Sequence, residues 1–136
     1  MQEIADAVGH DRVAAVVDRF YDRIQQHPSL AQPFLRVQNW PEHKALLTHF
    51  WWATLGGKRY LQHNYEVPRK HAEAGFTPEL LSEWLALFAE VLHAELPAEL
   101  AEGWLARARN IGQSLTWLYH HQQKGQAPSP KLYTPA

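Results

Sequence analysis

Apolar residues recur along this chain at helical spacing, and no segment alternates with the period of two that a half-buried strand requires. The clearest stripe is Val13, Val16, Val17, Phe20 and Ile24, one face of a helix predicted over residues 11–26. Tyr21 lies on its flank, one turn beyond Val17. His27-Pro28 ends that helix, because proline disfavours helical geometry in the residue before it. A short helix over 2–8, closed by Gly9, precedes it, and a further helical turn is predicted through 30–34. Pro41 suits a first helical turn and opens a helix to about residue 55, stopped by Gly56-Gly57. Its inward face reads His43, Leu47, Phe50, Trp51 and Thr54.

Residues 58–75 lose this periodicity, apart from a short helical piece near His71. It is the longest irregular stretch inside the domain, and such loops often have functional duties. Thr77-Pro78-Glu79 supplies a cap, a first-turn proline and an acid, and starts a helix to about residue 95. That helix is expected to bury Leu80, Leu81, Trp84, Leu85, Phe88, Val91 and Leu92. After Pro97 a final helix over 98–123 turns Leu100, Trp104, Ala108, Ile111, Leu115 and Leu118 inward. Residues 124–136, rich in Gly, Pro, Ser and Lys, are expected to form a flexible tail. The pattern is therefore all-α: one domain over 1–123, with no internal repeat.

Composition narrows the chemistry. At 136 residues and 46% hydrophobic, the chain can bury a core without staples. It has no cysteine, which excludes disulfides, thiolate-bound zinc, iron–sulfur clusters, cysteine-ligated haem and thioether-attached haem. The start, Met1-Gln2-Glu3, lacks the basic-then-apolar run of a signal peptide, and no stretch approaches the roughly 20 apolar residues of a membrane span. A cytoplasmic location is expected. Thirteen basic and fourteen acidic residues interleave to a net charge of -1, so neither nucleic acid nor a membrane surface is an expected partner.

Six tryptophans and nine histidines remain to be placed. His43, Tyr21 and Trp84 each fall on or beside the apolar face of a different helix. Each alone reads as an ordinary core residue with one polar atom to satisfy. Together they describe an apolar pocket offering hydrogen-bond donors but no carboxylate, thiol or serine nucleophile. Such a pocket suits a small ligand that gains negative charge, such as dioxygen on ferrous iron, better than it suits hydrolysis. His71 reads either as a solvated loop histidine or as an iron ligand, with Arg69 or Lys70 reaching haem propionates.

The order Phe20-Tyr21, Glu42-His43-Lys44 with Phe50-Trp51, His71, then Trp84-Leu85-Ala86-Leu87-Phe88 resembles the third (P) group of truncated haemoglobins over about residues 11–118. The resemblance implies a shortened globin in which two antiparallel helix pairs sandwich one haem b. It makes His71 the proximal ligand, and Tyr21, His43 and Trp84 the distal polar residues. Phe34, Leu47, Phe50 and Phe88 fall where that family contacts haem. His43 is expected as a gate, a second polar contact or a ligand of ferric iron. The implied ligands are dioxygen, nitric oxide and carbon monoxide, with slow oxygen release and nitric oxide dioxygenase or peroxidase-like chemistry fed by an external reductase. A non-catalytic oxygen binder or sensor would need the same pocket, and a monomer or weak dimer is expected in either case. One departure stands out: family members continue the proximal histidine with leucine and proline, and this chain has Ala72-Glu73-Ala74-Gly75-Phe76. The distant alternative is a haem-free, partner-binding helical module. His49, His63, His93 and His120-His121, its candidate ligands, match no compact metal motif.

Overall fold

The computed structural model describes residues 3–123, and among them six α-helices and one 3-10 turn occur with no strand. In chain order these are α1 (Ile4–Val8), α2 (His10–Gln25), the 3-10 turn (Gln32–Phe34), α3 (Trp40–Thr54), α4 (Val67–Ala74), α5 (Pro78–Glu95) and α6 (Ala98–Gln123). The tail expected over 124–136 lies outside the described residues. No helix among them is long and apolar enough to cross a membrane.

Local chemistry explains the helix ends. The Asn39 side chain accepts from the Glu42 N–H at 3.1 Å, with Pro41 in the first turn of α3. Thr77 does the same for Leu80 at the start of α5. After α3 the chain turns so tightly that a Cβ on Gly57 would meet the Trp52 indole at 2.2 Å. That indole donates to the Lys58 carbonyl at 3.0 Å, so the turn and the following loop are tied down.

Helices α2 and α3 pack as one pair, α5 and α6 as another, and the pairs meet through α2 and α5. Helix α1 sits against α2 and α6, whereas α4 rests on α6. Every member of the α2 stripe is buried. Phe20 meets Phe88 at 4.7 Å between ring centroids, and Trp51 lies 5.6 Å from Phe88 and 5.8 Å from Trp104. Burying each such ring stabilises the fold by about 1.5–3 kcal/mol, so this aromatic cluster is a main source of cohesion. Lys44 bridges the first pair, reaching Asp18 at 2.8 Å and Asp22 at 2.7 Å. Its partial burial works against the charge, and the two carboxylates outweigh that and raise its pKa.

The inward face of α3 differs from expectation. Phe50 and Trp51 are buried, but His43, Leu47 and Thr54 are only half-buried, while Thr48 and His49 are covered. The cause is the segment after α3, which folds back and covers the His49 side of the helix. On α5, Leu80, Leu81, Trp84 and Leu85 are half-buried and Leu87 is buried. On α6, Leu100 and Ile111 are half-buried, and Ala101 and Leu105 take their place in the core.

Candidate functional site

Tyr21 leaves the buried face of α2 with only 4% of its surface exposed. Its ring lies 5.6 Å from Phe34, 6.1 Å from Trp40 and 6.3 Å from His43. Burial pushes the phenol pKa far up, opposed by a hydrogen bond with the Trp84 side chain. An indole only donates, so the Tyr21 oxygen is the acceptor and its own O–H is left to point elsewhere. Trp84 is placed for this by Phe20 and Phe88, 5.0 and 4.8 Å away.

His43 sits one turn into α3, half-buried, with its Nε2 atom enclosed and without a hydrogen-bond partner. Burial lowers its pKa, and the positive charge of Lys70 lowers it further, so the ring is neutral. That influence also shows that Lys70, on α4, lies within electrostatic reach of the start of α3. Trp40 packs edge-on to His43 at 5.3 Å, closing the cluster with Phe34. Trp40 was not singled out in the sequence; its position just before Pro41 was the available signal.

His71 lies on a separate element, in the second turn of α4. Its Nδ1–H donates to the Val67 carbonyl at 2.8 Å, which fixes the ring and leaves the Nε2 lone pair open. The residue is accessible to solvent although protein atoms surround its ring on most sides. Burial lowers its pKa, and the Val67 carbonyl opposes that. Beneath it, Gly75 closes α4 at φ 87°, and the Phe76 N–H returns to the His71 carbonyl at 3.0 Å. Phe76 then packs 6.2 Å from His71 and 6.2 Å from Tyr119, so it fills the space beside the imidazole.

The other expected residues divide. Arg69 is held by Glu66, just before α4, and by Glu73 on α4, so Glu73 turns to Arg69. Lys70 is exposed. Phe34 stands beside Tyr21 and His43, and Leu47 is half-buried a turn after His43. Phe50 packs on Trp51 and Tyr65, and Phe88 belongs to the aromatic core behind Trp84.

The structure thus brings Tyr21, Trp84, His43 and Phe34 together, with His71 presented from α4. Among the described residues no group of three His, Cys, Asp or Glu side chains is placed to hold a bare metal ion. A flat, apolar prosthetic group carrying its own metal fits better. The enclosed, unpartnered Nε2 of His43 and the open Nε2 of His71 are polar atoms still lacking a partner. A separate open depression along residues 59–64 shares none of these side chains.

A family model for bacterial-like globins matches residues 3–116. A group 3 truncated hemoglobin from Campylobacter jejuni is 27% identical over 112 residues, spanning 78% of this chain and 87% of that protein. No solved structure matches significantly.

Proposed function

The chain belongs to the bacterial-like globin family, of the third truncated group, and from that premise we propose that it holds haem b through His71 and either retains dioxygen long enough to oxidise nitric oxide to nitrate or, supplied with a peroxide in place of dioxygen, acts as a peroxidase. As a globin it is a haem protein that binds diatomic gases. The cofactor assignment to His71, the roles of the pocket residues and the turnover are the proposal.

The observation that carries it is the unpartnered His43 Nε2 beside Tyr21, in a cluster that offers donors and no carboxylate. Bound haem supplies an iron that takes up a diatomic gas and passes electron density to it. Burial keeps Tyr21 protonated at any ordinary pH, so its hydroxyl remains a donor towards a ligand gaining negative charge. The Trp84 indole polarises that hydroxyl, and hydrogen bonds in such a chain strengthen one another. His43, neutral and half-buried, provides a second polar contact at the same end of α3. On α4, the Val67 carbonyl holds the His71 proton on Nδ1 and aims Nε2 away from it, so that Nε2 would be the atom to bind the iron. Phe34, Leu47, Phe50 and Phe88 supply apolar surface, and Lys70 is better placed than the ion-paired Arg69 to meet a propionate.

Turnover needs electrons from a reductase, and a cytoplasmic protein would find one there. The test is to load the purified chain with haem and record ferric, ferrous and ferrous–carbon monoxide spectra. Nitric oxide consumption over many turnovers, with oxygen and a chemical reductant, then follows. A Soret band that shifts at each step with sustained conversion to nitrate is expected. Stoichiometric consumption that stops after one turnover would refute the catalytic reading and leave a binder or sensor.

A further inference from the structure

The most constrained histidine of the chain has no part in the pocket. His49, on α3, is fully buried, and the loop after α3 is laid over it. Its Nε2 accepts from two successive backbone N–H groups, Tyr60 at 3.1 Å and Leu61 at 3.2 Å. The proton must then sit on Nδ1, which donates to the Tyr65 hydroxyl at 2.5 Å. One ring therefore holds the middle of the loop and its far end. Tyr60 is further tied to His10 of α2 at 2.7 Å, and the Tyr65 ring is flanked by Phe50 and His63 at 5.2 and 4.6 Å.

Immediately after Tyr65 the chain reaches Glu66 at φ 45°, a left-handed conformation that a non-glycine residue adopts only under constraint, and α4 begins. Of the α4 residues only Val67 is buried, so the helix has little packing of its own to set its position. It also rests on α6, and the loop leads directly into its first turn. We infer that His49 is the positioning residue for the proximal helix: by clamping residues 60, 61 and 65 it sets where α4 starts and where His71 presents Nε2. The inference rests on the reading of His71 as the iron ligand.

The test uses the haem-loaded full chain. His49→Phe keeps the volume but neither accepts nor donates; His49→Gln restores an acceptor at the reach of Nε2. Three readouts are followed: amide exchange at Tyr60 and Leu61, the rate of haem transfer to a scavenging apoglobin, and the iron–histidine stretching band of the ferrous protein. Loss of two backbone hydrogen bonds should speed haem loss roughly tenfold in His49→Phe. The stretching band should shift or broaden, and His49→Gln should return both most of the way. Faster amide exchange with haem loss and the stretching band unchanged would overturn the proposal, because the loop would then be clamped without positioning the ligand. If His49→Phe does not fold, Tyr65→Phe deletes one arm of the clamp and should still speed haem loss severalfold; no change there overturns it equally. A His71→Ala protein that keeps its haem would bring the proposal down by a different route, through the ligand assignment, while leaving the exchange result intact.

Discussion

Replacing Tyr21 by Phe removes one oxygen from a residue that is 4% exposed, and it should do two separable things. The first concerns the ligand. A hydrogen bond to a partly charged acceptor contributes about 1.5–3 kcal/mol, so its loss should speed dioxygen release between about tenfold and 150-fold. The second concerns the apoprotein and holoprotein alike. The Trp84 indole N–H loses its acceptor, and an unsatisfied donor of this kind costs about 1–3 kcal/mol, towards the lower end because Trp84 is half-buried. The assay is stopped-flow displacement of bound dioxygen by carbon monoxide, with thermal unfolding followed in parallel. Because the indole donates to Tyr21, its effect on release should pass through the phenol. Trp84→Phe should therefore speed release less than Tyr21→Phe, and the double variant should release dioxygen no faster than Tyr21→Phe alone. Unchanged release in Tyr21→Phe would refute the assigned donor. Additive effects in the double variant would show that Trp84 reaches the ligand independently and that the chain from indole to phenol is wrong.

Other outcomes follow from the same geometry. His71→Ala should lose its haem on desalting, read from the Soret absorbance; full retention refutes the ligand assignment. Lys44→Met should lower stability by up to about 1 kcal/mol, since Asp18 and Asp22 are 60% and 59% exposed and solvent screens them. That difference should shrink in high salt, and a salt-independent loss would mean that packing, not charge, was removed. His49 is held neutral, with its pKa lowered from 6.5 first by burial and then by Arg59, His63 and His10. Its unfolded counterpart takes up a proton below about pH 6.5 while the folded one resists. Stability from this group is thus complete above that pH and falls as the pH drops below it. Denaturant midpoints between pH 7.5 and 5.5 should fall less steeply in His49→Gln, and an identical pH slope would refute the assignment.

Periodicity located the helices where one face meets one neighbour. In α2 the stripe from Val13 to Ile24 is buried without exception, because α3 and α5 cover a single side. The Thr77 and Asn39 caps rest on local chemistry, and Thr77 was equally readable. Helix α3 was misread for a definite reason. His49 is buried by a loop that arrives from later in the chain, and no spacing of residues within a helix records that a loop will fold back over it. For the same reason His49 stood only as a spare metal ligand. Tyr21, His43 and Trp84 were legible as polar residues on apolar faces, but the pairing of Trp84 with Tyr21 was not, since it depends on how two separate helices approach one another. Trp40 was passed over because one tryptophan among six stands out only when it is read together with Asn39 and Pro41 at the start of α3.

Helix α4 sits between two left-handed residues, Glu66 and Gly75, and sends only Val67 into the core. A segment anchored at its ends and by one side chain places few demands on the residues between. Substitutions at its exposed positions are limited by the histidine and its carbonyl partner rather than by the fit of a core. Over Ala72 to Phe76 the helix is closed by the Gly75 turn and by the Phe76 N–H on the His71 carbonyl, which also sets the Phe76 ring against the imidazole.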